Sequence, residues 1–169
     1  MSYVPSHLGQ ILMNPSAVCV LLCANNTSSA VGADVMFSSA NDFIGTLSSL
    51  LSFSGGAFTL PSGYYYWLEG STQTYSTTLN ANTHLEVQWH DGTSGIGTHG
   101  RIVQPPYTDQ QLSGRDEKAL ALIDATGGAV SVTLRVTSMT NVIALGLNST
   151  ASHSAYAGMG RATIWRLDP

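Results

Sequence analysis

Two stretches of this chain alternate apolar and polar residues without a break, and that alternation constrains the fold more than any other feature. In "HLEVQWH", Leu85, Val87 and Trp89 alternate with His84, Glu86, Gln88 and His90. In "AVSVTLRVT", Val130, Val132, Leu134 and Val136 alternate with Ser131, Thr133, Arg135 and Thr137. A period of two sends successive side chains to opposite faces of a strand, so each segment has one buried and one polar face. Further strands are predicted over residues 17–24, 57–60, 64–73, 119–123, 142–147 and 161–167. Turn-rich breaks separate them: "NNTSS", "SGG", "PSG", "HDGTSGIGTHG", "PPYTD", "SGRDEK" and "ATGG".

Eight short strands broken by polar turns predict an all-β sandwich or barrel. The segment "NDFIGTLSSLLSF" also carries a helical spacing, through Phe43, Leu47, Leu50 and Leu51, compatible with one short helix or an irregular loop. No internal repeat or linker is visible, and 169 residues suffice for one domain with a hydrophobic core. The expected organisation is an arm over residues 1–16 and a single β domain over residues 17–169. The arm carries two prolines and no alternation, and its Leu8, Ile11, Leu12 and Met13 would be a liability in water, so it is expected to dock on another surface.

Composition excludes several function classes. Charged residues make up 9% of the chain, against roughly a quarter in an average soluble protein. The net charge is −4 and Lys118 is the single lysine, so no basic stripe exists to neutralise phosphates. Nucleic acid and anionic membranes are therefore not expected partners. The apolar run from Ala17 to Ala24 is far shorter than the ~20 residues of a membrane helix and lacks the basic flank of a secretory signal. Use without secretion is expected, which makes the sequons at Asn25, Asn26 and Asn148 chance matches. Cys19 and Cys23, if on one strand, stand about 13 Å apart at ~3.3 Å per residue, too far for a disulfide. They read as small buried apolar side chains.

The usual catalytic constellations are not found. The acids are dispersed, except for Asp116-Glu117 in a turn-like "GRDEK" that reads as a solvated loop, so the paired carboxylates of a glycosidase are missing. No G-x-S-x-G elbow occurs. "GTSGIGTHG" is glycine-rich but has no lysine and opens no helix, so it makes a poor phosphate cradle. His84, Glu86 and His90 share one face of a strand, with Asp91 and His99 expected in the following loop. His84 and His90 would be about 20 Å apart, too far to share an ion within one subunit. His7, His153, Asp34 and Asp42 read as structural or exposed. The expectation is a non-enzyme with no catalytic residues, no metal and no cofactor.

The aromatic run of "GYYYWLEG" needs covering on two sides. In a strand, Tyr64 and Tyr66 face one way and Tyr65 and Trp67 the other, and each large aromatic buries roughly 150–250 Å². One face meets the domain's own core. The other meets a neighbouring subunit or, alternatively, the "NDFIGTLSSLL" segment of the same chain.

The surrounding "GGAFTLPSGYYYWLEGS" resembles the central signature of C1q and tumour-necrosis-factor-like jelly rolls, with Gly56, Phe58, Pro61, Gly63, Tyr65 and Trp67 in the matching roles. One residue fewer than usual separates Pro61 from Gly63. "SAYAGMGRATIWRL" is similar to that family's last strand, with Tyr156 and Gly158 as its aromatic and glycine. "ALALIDATGGAVSVTLRV" resembles the strand, turn and strand between. The resemblance spans residues 30 to 167. It implies a two-sheet jelly-roll sandwich assembled as a compact homotrimer, with Tyr64, Tyr65, Tyr66, Trp67, Tyr156 and Trp165 as candidate subunit-interface residues. Similar modules occur in bacteriophage virions. The expected function is a capsid decoration or cement trimer on the virion surface, held to the major capsid protein by the arm. The alternative is the receptor-binding tip of a tail or head fibre, reading a host-surface glycan or protein through loops such as "HDGTSGIGTHG".

Overall fold

The alternation is realised as two antiparallel sheets closing on one core. The structure is a computed structural model that describes residues 15–23, 30–44, 51–54, 56–72, 74–75, 83–104, 115–142, 144–145 and 161–169. Thirteen strands are described: β1 (Pro15–Cys23), β2 (Phe37–Ile44), β3 (Ser52–Ser54), β4 (Ala57–Leu60), β5 (Tyr65–Ser71), β6 (Thr74–Tyr75), β7 (Thr83–His90), β8 (Gly95–Gln104), β9 (Arg115–Glu117), β10 (Ala119–Asp124), β11 (Val130–Thr140), β12 (Ala144–Leu145) and β13 (Arg161–Leu167). One sheet has the order β10-β5-β13-β1-β2 and the other β3-β4-β11-β7-β8-β9, with β6 and β12 forming a small ribbon. The first and last strands lie side by side in the middle of the five-stranded sheet, a non-local pairing typical of jelly rolls.

Both firm alternations point inward as expected. Leu85, Val87 and Trp89 of β7 and Val132, Leu134 and Val136 of β11 are buried, facing Tyr66, Leu68, Ala162 and Ile164 of the opposite sheet across the core. Phe58 joins the middle of this core, its ring 5.2 Å from Phe37 and 5.8 Å from Trp89 in tilted contacts. Trp89 lies fully buried and donates its indole N–H to the Ala119 carbonyl at 3.2 Å. Gly70 on β5 makes room for it, because a Cβ there would stand 2.9 Å from Trp89 Cζ2. Residues 32–35 extend the sheet edge where β4 ends: Val35 N–H donates to Leu134 O and Gly32 N–H to Val136 O.

Several boundaries differ from the expected ones. The helical alternative for "NDFIGTLSSLLSF" is replaced at both described ends by strand, since Asn41 to Ile44 pair with β1 and Ser52 to Ser54 with β4. "HDGTSGIGTHG" is a turn only over residues 91–94, and its remainder belongs to β8, including His99. Its glycines have a packing reason. Side chains at Gly97 or Gly100 would collide with the backbone of residues 117–121, so glycine lets β8 approach β10 at the edge where the sheets meet. Thr98 Oγ1 accepts the Leu120 N–H there at 3.2 Å. Asp116-Glu117 falls in strand β9 rather than a loop. Strand β1 starts at Pro15, two residues ahead of the expected strand. The arm residues Leu8, Ile11, Leu12 and Met13, Tyr156, and the three sequons lie outside the described residues.

Candidate functional site

The outward face of the five-stranded sheet is built by strands β5, β10 and β13 with β1 and β2. Core packing fixes which way β5 points. Tyr66, Leu68 and Gly70 must face inward because Gly70 receives Trp89, and this turns Tyr65, Trp67 and Glu69 outward. Strand β10 packs its small residues inward, with Ala119 and Ala121 buried, and turns Leu120 and Leu122 out. Leu122 is 41% exposed.

Register then aligns these residues. Trp67 pairs with Leu122 on one side and Trp165 on the other. Trp165 pairs with Val18, and Val18 with Ile44. One row of apolar residues therefore crosses β10, β5 and β13, since directly paired residues of antiparallel strands share a face. Strand β2 lies in the plane of the sheet at its far edge, and residues 45–50 of the alternative "NDFIGTLSSLL" cover lie outside the described residues.

Beside this row sits the Glu69–Lys118 pair, while Asp124, paired with Tyr65, and Arg161, paired with Ser71, place exposed charges on the same face at the strand ends. Lys118 Nζ reaches Glu69 Oε2 at 2.6 Å, and Trp67 Nε1–H donates to Glu69 Oε1 at 3.5 Å.

Of the expected interface residues, Tyr65, Trp67 and Trp165 lie on this face and are half-buried. Tyr66 does not. It is fully buried in the domain's own core and donates its hydroxyl to the Pro61 carbonyl at 3.0 Å. Burial pushes its phenol up to about 12, against the opposing pull of the Arg166 guanidinium, with a smaller upward push from Tyr64. Tyr64 packs against the core edge-on to Tyr66, under Arg166, which stands 4.4 Å from its ring centre. Tyr66 is thereby removed from the candidate interface. Leu122 was missed because "ALALI" reads as uniformly apolar, and Glu69 and Lys118 because residues 49 apart in sequence show no local sign of their pairing. The usable signal in "ALALI" was that its smaller residues, the alanines, occupy alternate positions.

The outward face of the six-stranded sheet has the opposite chemistry. Glu86 meets His84 Nε2 at 3.2 Å, His99 Nδ1 at 3.6 Å and Arg101 Nε at 3.7 Å. At the other end of β7, His90 Nδ1 accepts the Gly92 N–H at 3.1 Å and faces Arg135 Nη1 at 3.4 Å, while Arg135 Nε bonds Asp34 Oδ1 at 2.8 Å. The Asp34 hydrogen bond raises the Arg135 guanidinium further above its ordinary range. The intervening turn is closed by Asp91 Oδ1, which accepts the Thr93 and Ser94 N–H groups, both at 2.8 Å. Those hydrogen bonds hold the Asp91 carboxyl below the ordinary range. Among the described residues, no group of three or more His, Cys, Asp or Glu is arranged to hold a metal ion. His84 and His90 stand at opposite ends of β7.

No family model matches the sequence, and no curated protein matches it either. Solved structures do match in fold. Crystal structures of murine APRIL at pH 5.0 and pH 8.5 each align with a TM-score of 0.51 at 14% identity, covering 89% of this chain and 98% of that one. The structure at pH 8.0 aligns over the same shares with a TM-score of 0.50. The chain thus has the two-sheet jelly-roll fold of the tumour-necrosis-factor type.

Proposed function

We propose that this protein is a non-enzymatic structural subunit that works as a homotrimer, closed through the outward face of the five-stranded sheet, and that it decorates a viral capsid with the residues ahead of β1, 1–14, as its attachment arm. The observation that carries the assembly is the row Leu122, Trp67 and Trp165, set side by side by register on β10, β5 and β13. Two tryptophans and an exposed leucine in one row form a patch that a monomer leaves in water at a cost. A closed cyclic assembly covers such a patch with copies of itself. The jelly-roll resemblance implies a trimer, and the low charge and apolar arm support a place within a larger particle.

Native mass measurement tests the assembly: a species near three times 17.8 kDa is expected, and a monomer at working concentration sinks the reading. Mixing with purified phage capsids tests the rest. Full-length protein is expected to bind, and protein lacking Met1 to Asn14 to stay trimeric and fail to bind. Unchanged capsid binding by the shortened protein removes the arm's role. Adsorption to host cells without capsid binding favours the receptor-binding alternative, whose proposed loop is only the four-residue turn 91–94.

A further inference from the structure

We propose that the Glu69–Lys118 ion pair determines whether the outward face of the five-stranded sheet can close on copies of itself; the inference rests on the assembly reading above. Glu69 lies two residues along β5 from Trp67, on the same face, paired with Leu120 on one side and Thr163 on the other. Thr163 is buried, and the Glu69 side chain retains only 23% of its exposure. A carboxylate at the border of an apolar row is costly for subunit contact to cover, because a charge removed from water without a partner is penalised by several kcal/mol. Closed symmetry repeats that penalty once per subunit.

The chain's one lysine answers this locally. Lys118 is the residue at which the chain crosses from β9 in one sheet to β10 in the other, and from there its ammonium reaches Glu69 Oε2 at 2.6 Å. The second oxygen accepts the Trp67 indole N–H, so the largest side chain of the row has its polar atom satisfied within the same subunit. The face therefore presents a neutral unit before any contact forms. Neither member of the pair needs a charge from a neighbouring subunit.

The test measures the concentration of half-assembly by sedimentation or native mass, with circular dichroism confirming that each variant is folded. Lys118→Met strands the carboxylate and is expected to raise that concentration by about tenfold or more, as truncating one partner of a covered charge pair does. Glu69→Gln combined with Lys118→Met removes both charges and is expected to return it to within about threefold of the native value. A role confined to pinning the sheet crossover would lower the thermal midpoint of the single and double variants alike, without recovering assembly in the double. Native-like assembly by Lys118→Met, or a double variant as weak as the single one, overturns the inference. If Leu122→Arg dissociates the protein while Lys118→Met does not, the assembly reading stands and this inference alone falls. A monomeric native protein overturns both.

Discussion

The two outward faces of this sandwich differ in what they leave in water. On the five-stranded sheet the outward positions hold Trp67, Trp165, Tyr65 and Leu122 with the Glu69–Lys118 pair, and further charges stand at the strand ends, Asp124 beside Tyr65 and Arg161 beside Ser71. On the six-stranded sheet they hold His84, Glu86, His90, His99, Arg101 and Arg135, linked in ion pairs and hydrogen bonds. Three of the five histidines thus share one face in a chain of low charge. A polar face needs no partner. An apolar one does, and this asymmetry distinguishes an assembly surface from a solvent surface more sharply than average hydrophobicity, to which both faces and the core contribute.

The comparison breaks most readily by placing the same charge on each face. Leu122→Arg introduces an unpaired guanidinium into the apolar row and is expected to weaken self-association by roughly a hundredfold or more, since a covered charge without a partner costs several kcal/mol. Thr140→Arg, at an exposed position beside His84 on the other sheet, is expected to leave self-association unchanged. Sedimentation of the two variants side by side decides the matter. Equal behaviour would mean that the apolar row is not where subunits meet.

How much of this could be read beforehand depended on whether a local pattern carried the information. The inward residues of β7 and β11 were legible because each strand alternates cleanly. Strand β2 was not, since "FSSANDFI" mixes small, polar and aromatic residues and becomes a strand by pairing with β1. Strand β8 was hidden by its glycines, which serve contact with a strand of the other sheet and so leave no local trace. Tyr66 could not be told from Tyr65 within "GYYYW", because the choice is made by Trp89 filling the space above Gly70. The row across the five-stranded sheet required knowing that residues 67, 122 and 165 are neighbours, which is a property of jelly-roll topology.

That direction of β5 can itself be tested through Tyr66. Its phenol is raised to about 12 by burial, so the neutral form is the one the folded state accommodates. The resulting stabilisation is fully present below the ordinary tyrosine value near 10 and is lost as pH rises from there through about 12. A shift of this size corresponds to roughly 2–3 kcal/mol lost across that window. Tyr66→Phe is expected to flatten stability between pH 10 and 12 while costing about 1 kcal/mol at neutral pH through the missing hydrogen bond to Pro61. Tyr65→Phe, one residue away on the opposite face, should leave the alkaline loss intact. Denaturant melts across the pH series would reverse the assignment of the two faces if the tyrosines exchanged these roles.

The smallest expected effect lies on the polar face. Glu86 touches three potentially cationic groups, but His99 and Arg101 are about half exposed, and pairs in that setting contribute little because solvent screens them and ordering long side chains costs entropy. Glu86→Gln is therefore expected to lower stability by less than about 1 kcal/mol, with most of the difference gone in high salt. Self-association should not move, because no residue of this cluster lies on the apolar row. Thermal melts at low and high salt, run beside sedimentation, separate the two readouts. A clear loss of assembly in Glu86→Gln with stability preserved would place a subunit contact on the six-stranded sheet and remove the asymmetry between the faces, since an exposed ionic cluster would then be acting at an interface.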